Sequence, residues 1–183
     1  MRVLRVFTPG NRPNETGVCR AAFRYLADTC PYSFAERETL GDYGYRSALE
    51  EHWRFDGDLC ILEQDLIPVP SMLAALAECP HQLCAQAYSL SAKTLGREGY
   101  EIAHRVCVPW AEVPQWIVPG EESADLVGFG LTKLGRAARA RVTPEWQSPL
   151  YHHTNLDTKI SFLFLAQGMK FHIHWPEVAH FHA

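Results

Sequence analysis

Apolar and polar positions divide the chain into short blocks whose spacing switches between that of strands and that of helices. Val3 to Phe7 is a β-branched and aromatic run closed by Thr8-Pro9-Gly10-Asn11, which predicts a strand feeding a loop. From Glu15 to Ala27 the apolar residues Val18, Ala22, Phe23 and Leu26 recur at helical spacing, with Asn14 as the expected N-cap. A second strand is expected around Tyr32 to Arg37 and a helix from about Tyr45 to Trp53, followed by the turn Phe55-Asp56-Gly57. Leu59-Cys60-Ile61-Leu62 is an unbroken apolar block, the pattern of a strand covered on both faces as in parallel α/β sheets.

Downstream, Leu66-Ile67-Pro68-Val69-Pro70 leads into a helix over Ser71 to Ala77, stopped at Cys79-Pro80. Strands are expected at Leu83 to Tyr88 and Ile102 to Val108, then a turn-rich stretch from Pro109 to Ser123 and a helix from Thr132 to Ala140. The last third predicts an apolar helix over Leu156 to Ala166 with Gly168 as its stop, a strand from Lys170 to His174 and a histidine-rich tail. No repeat, low-complexity tract or linker interrupts this order. The expectation is one domain over residues 1–183, α/β in class, with an open, mostly parallel twisted sheet flanked by helices.

Composition agrees with that picture and removes others. With 183 residues, 47% of them hydrophobic and 21% charged, the chain can bury a full core, and readings as disorder, collagen or coiled coil fall away. Seventeen basic against twenty-one acidic residues leave a formal charge of -4, so no global positive field draws in nucleic acid or acidic lipid. The cysteines, at positions 19, 30, 60, 79, 84 and 107, never form a CxxC pair, so no zinc knuckle is expected. Cys60 and Cys107 sit in apolar runs and read as buried, reduced thiols, which points to the cytoplasm. The N-terminal apolar run is too short for a signal peptide. No stretch reaches the roughly 18 apolar residues of a membrane span.

Four features could carry chemistry. Glu63-Gln64-Asp65 closes the third strand, and in extended backbone Glu63 and Asp65 share a face about 7 Å apart. Hard divalent cations take one or two such carboxylates and leave their other positions to phosphate and water, although an acidic strand end facing solvent reads the same way. Six of the nine histidines lie in the last 32 residues; His172 and His174, and His180 and His182, have the spacing of one strand face. Gly128-Phe129-Gly130 allows close backbone approach and positive φ, as either a ligand turn or a plain one. Asp157 near a helix start is either a favourable first-turn acid or a general base.

In this order the features resemble a small nucleotide-sugar glycosyltransferase of the GT-A fold, a compact, Rossmann-related member. Glu63-Gln64-Asp65 looks like the family's acidic triplet of the DxD type, approached through Gly44-Tyr45-Arg46-Ser47-Ala48 and Gly57-Asp58-Leu59-Cys60-Ile61-Leu62. The resemblance implies a divalent metal, Mn²⁺ or Mg²⁺, held by Asp65, Glu63 and His180, with His182 and His174 behind it. It implies Thr8 and Arg12 near the nucleotide of a UDP-sugar or similar donor, Gly128 and Gly130 beside the sugar, and Asp157 as base for a hydroxyl acceptor. The first triplet position is Glu rather than Asp, and the chain is short for the family, so the acceptor side is minimal, absent or built by a partner subunit in a homo-oligomer. Two rivals stand beside it: a non-catalytic nucleotide-sugar binder of the same fold, and a His/carboxylate metallohydrolase of phosphoesterase type.

Overall fold

The computed structural model describes residues 1–7, 13–38, 41–63, 66–87, 89–90, 101–102, 104–106, 115–117, 122–147 and 156–175. Strand β1 (Arg2–Phe7) is followed by helix α1 (Pro13–Thr29), β2 (Ser33–Glu38), α2 (Gly41–Trp53), β3 (Leu59–Glu63), α3 (Pro70–Glu78) and β4 (Leu83–Gln86). Four short strands pair off as two ribbons: β5 (Ser89–Leu90) with β6 (Glu101–Ile102), and β7 (His104–Val106) with β8 (Gln115–Ile117). The chain returns through β9 (Ser123–Ala124), β10 (Leu131–Leu134), the one-turn helix α4 (Arg136–Arg139), α5 (Leu156–Ala166) and β11 (Phe171–His174).

Seven strands form one open sheet in the order β2-β1-β3-β10-β4-β11-β9. β1 is parallel to β2 and β3, and β4 to β11, whereas β10 is antiparallel to both of its neighbours and β9 to β11. The class is α/β as expected, but the sheet is mixed, because a reversed strand lies at its centre. That strand corrects the helix expected over Thr132 to Ala140. Its four residues are all buried between β3 and β4, so they carry no alternation that a sequence pattern could show. Gly135 then separates strand from helix, and a Cβ there would lie 2.6 Å from the Gln82 carbonyl oxygen. Two smaller corrections concern helix starts. α1 begins with Pro13 at its first position, so Asn14 lies inside the helix and not at its cap, and α2 begins at Gly41. The strand expected from Ile102 to Val108 is divided between β6 and β7, outside the main sheet. β8 lies within the stretch expected to be turns, and β9 begins at its last residue, Ser123.

Alternation along the strands sends side chains to two covered faces. On one, Val3, Cys60, Leu62 and Leu131 meet Phe23 and Leu26 of α1 and Met72, Leu73 and Leu76 of α3. On the other, Leu4, Leu59, Ile61 and Phe171 meet Leu49 and Trp53 of α2 and Ile160 and Phe164 of α5. Trp53 and Phe164 stack at 6.1 Å between ring centroids, and Phe164 meets Phe171 edge-on at 5.9 Å. This three-layer arrangement leaves the strand ends as the places where loops can build a site.

Candidate functional site

β1 is flanked by β2 on one side and β3 on the other, and the helices leading to them lie on opposite faces of the sheet. Where successive connections diverge in this way, a crevice opens outside the carboxyl ends of the strands, the usual ligand position in open α/β sheets. Glu63 is the last residue of β3 and lies opposite Val6 of β1, at the carboxyl ends of these two strands. Because β10 runs the other way, the segment entering it arrives at the same edge. The Glu63 backbone N–H donates to the Gly130 carbonyl at 2.9 Å. Fully buried Phe129 anchors the turn, and the Thr132 hydroxyl donates to the Gly128 carbonyl at 3.1 Å.

Two sequence candidates, the acidic strand end and the glycine turn, are thus brought together. The structure adds a third member that sequence reasoning did not assign: the Tyr45 hydroxyl donates to Glu63 Oε1 at 2.9 Å. Tyr45 stood in the predicted helix, but nothing along the chain marks its partner eighteen residues away. Neither Gly128 nor Gly130 adopts positive φ; among the described glycines Gly57 and Gly168 do. The expected role of glycine as a left-handed residue is therefore met at the stop of α5, Gly168, and not at the turn beside Glu63.

Asp157 lies in the first turn of α5, where its Oδ1 accepts the Thr158 N–H at 2.6 Å, a favourable place for an acid. The fully buried Ser161 hydroxyl accepts the Val127 N–H at 3.4 Å, which seats the front of α5 against the segment that runs into Gly128. Thr8, Arg12, Asp65, His180 and His182 lie outside the described residues.

A second constellation lies on the sheet face covered by α1 and α3. Register aligns Cys60, Lys133, Cys84 and His172 in one row across β3, β10, β4 and β11, with His174 two residues further on the same face. Cys79, just past α3, approaches from above, its Sγ 2.7 Å from Cys84 Sγ. One thiol, one further thiol and the His174 imidazole have donor atoms all within 4.8 Å of one another. Buried Lys133 donates to the Cys79 carbonyl at 2.7 Å. His172 stacks on His81 with centroids 4.4 Å apart and meets His174 edge-on at 4.9 Å. The two β11 histidines do share a face, as expected. At about 4.8 Å per strand, three strand steps put them roughly 14 Å from β3, so they gather with cysteines and not with Glu63.

Burial pushes the Cys60 thiol up to about 12 and the Cys84 thiol up as well, which keeps both protonated in the metal-free chain. Burial also lowers the His174 pKa below its ordinary 6.5, helped by the neighbouring His172, Lys133 and His81. His172 is lowered by burial and His81, opposed by Glu122. A lowered folded-state pKa means that the unfolded chain takes up protons first as pH falls through about 6.5. Chelator-treated protein is therefore expected to lose stability between pH 7.5 and 5.5, and His174→Gln to lose less over the same interval in urea titrations. Equal losses would show that these imidazoles do not govern the acid limb.

At the opposite edge of the sheet a cleft of about 470 Å³ is lined by residues including Trp53, Phe55, Arg136, Arg139 and Trp146. Two of its three arginines are engaged: Arg136 pairs with Asp56 at 2.6 Å, and the Arg139 guanidinium is directed at backbone carbonyls.

Fold and site together define an α/β protein with an acidic residue and a glycine turn at the carboxyl edge of a mixed seven-stranded sheet. No family model matches the chain, and no curated protein matches it. Among solved structures it is similar to A197 from STIV, with a TM-score of 0.55 and 14% identity over 96% of this chain and 82% of that one. That likeness concerns the fold. Among the described residues no helix is long and apolar enough to cross a membrane.

Proposed function

We propose that the chain is a metal-dependent glycosyltransferase of GT-A type that moves a sugar from a nucleotide diphosphate donor to a hydroxyl acceptor. The observation that carries this reading is the junction of Glu63 with Gly130 at the carboxyl ends of β1 and β3, where an acidic strand tip and a glycine turn share one hydrogen bond. Asp65, Glu63 and His180 would hold Mn²⁺ or Mg²⁺. Carboxylate donors suit such ions, an imidazole favours Mn²⁺ of the two, and a phenol that orients a carboxylate, as Tyr45 does Glu63, is a common outer-sphere support.

When bound, the ion supplies Lewis-acid stabilisation of the departing diphosphate. Thr8 and Arg12, between β1 and α1 in the sequence, would bind the nucleotide. The Gly128–Gly130 turn admits the sugar against its backbone. In an inverting reaction Asp157 takes the proton from the attacking hydroxyl, leaving oxygen to form the new glycosidic bond while the sugar–phosphate bond breaks.

The test is a thermal-shift screen of nucleotide sugars with and without Mn²⁺, in the wild type and in Asp65→Ala. At a hundredfold excess over Kd, a bound donor contributes about 2.7 kcal/mol, or roughly 5–10 °C for a domain of this size. The reading expects a shift that needs both the metal and Asp65. It is overturned if no nucleotide sugar shifts the wild type, or if Asp65→Ala keeps the full shift. Tyr45→Phe is expected to retain the fold, losing about 1 kcal/mol, and to weaken Mn²⁺-dependent donor binding by roughly 10- to 100-fold in calorimetric titrations.

A further inference from the structure

We propose that Cys79, Cys84 and His174 form a zinc site that ties the end of α3 to β4 and β11. Three observations lead to it independently of Glu63 and the donor crevice. The two sulfurs and the imidazole already lie within 4.8 Å of one another, with both cysteines buried. Tetrahedral zinc, with Zn–S near 2.3 Å and Zn–N near 2.0–2.1 Å, needs donors about 3.5–3.8 Å apart, so the 2.7 Å sulfur pair has to open by about 1 Å and the imidazole, within 4.8 Å, to close by no more than about that.

The second observation is an orphan. His174 Nε2 is buried and has no hydrogen-bond partner among the described residues. Buried polar atoms without partners are rare and costly. A disulfide between Cys79 and Cys84 would leave this nitrogen as it is, whereas a metal shared with the two sulfurs satisfies it.

The third is the local chain. Cys79-Pro80-His81-Gln82-Leu83-Cys84 has the C-x₄-C spacing of zinc ligand pairs. Helix α3 ends at Glu78, and the Cys79 N–H bonds back to Ala75, so the first cysteine stands at a fixed helix end. Lys133 holds the Cys79 carbonyl from below, and His172 and His81 stack beside His174. Two thiols and one imidazole are a soft donor set that selects zinc over the hard ions expected at Asp65. Binding converts both thiols to thiolates and releases two protons to solvent, so uptake weakens as pH falls. Three protein donors leave the fourth corner of the tetrahedron to water.

The experiment measures zinc in the full chain, purified in reductant and dialysed against a weak chelator, and then titrates the stripped protein with Co²⁺. Expected are one zinc per chain and, with cobalt, a thiolate charge-transfer band with the intense visible bands of tetrahedral geometry. Cys84→Ser and His174→Ala should each weaken binding by more than about tenfold, while Cys30→Ser, outside the triad, should not change it. The proposal is overturned if reduced wild type gives no such cobalt spectrum, if His174→Ala binds zinc as the wild type does, or if Cys79 and Cys84 are recovered as a disulfide that takes no metal after reduction. Should a ligand variant fail to fold, the wild-type cobalt titration still decides.

Discussion

Arg139→Ala is expected to lower folding stability by about 3–5 kcal/mol, the scale seen when one partner of a buried charged interaction is removed. Arg139 is 3% exposed, and its guanidinium donates to the carbonyls of Leu134 at 3.1 Å, His52 at 3.4 Å and Phe55 at 3.1 Å, and to those of Trp53 and Gly57. One side chain thus collects the carbonyls at the end of α2, in the turn before β3 and at the end of β10. Removing it leaves several buried acceptors without donors, each costing about 1–3 kcal/mol, offset where water enters from the adjoining cleft. For a chain of this length the melting temperature should fall by roughly 10 °C. Arg139→Lys should recover only part, since an ammonium cannot reproduce a planar fork reaching carbonyls on three segments. Urea unfolding of the three proteins checks this. A loss under about 1 kcal/mol in the alanine variant, or full recovery with lysine, would refute the clamp.

Asp157→Asn is expected to lower the rate of sugar transfer by about 10²- to 10⁴-fold with donor binding unchanged, the usual range for a lost general base. Asparagine keeps the side-chain oxygen that accepts the Thr158 N–H, so the first turn of α5 should persist and the fold should be little affected. The readout separates two readings of one residue. If Asp157 is only a favourable helix-start acid, its replacement costs a few tenths to 1 kcal/mol of stability and leaves turnover intact. If it takes the acceptor proton, turnover collapses at constant donor affinity, measured as Mn²⁺-dependent nucleotide release and by calorimetry. Donor binding without turnover in the wild type would favour the non-catalytic binder.

Element types were largely legible along the chain where hydrophobic spacing is distinctive. Helix α5 coincides with its expected span of Leu156 to Ala166, its stop at Gly168 has the positive φ that glycine tolerates, and β3 is an unbroken apolar block because helices cover both of its faces. The pattern failed at β10. A short strand buried on both sides, followed at once by a helical turn, offers no period by which to tell strand from helix. The candidate site was legible as residue types in an order: an acidic strand end, a glycine turn and an acid at a helix start.

What the amino-acid order determined alone, then, was the succession of strands and helices apart from β8, β9 and β10, a core on both sheet faces, and the acidic tip of β3, since each follows from local periodicity and turn chemistry. Only the tertiary structure decided that β10 is inserted backwards between β3 and β4. That one crossing joins Gly130 to Glu63 at one edge and aligns Lys133 with Cys84 and Cys60 on one face. It decided also that a thiol at the end of α3 meets a histidine ninety-five positions later, 79 to 174. Such pairings depend on strand order and register, which arise from the packing of the whole sheet and leave no mark in any local window of sequence.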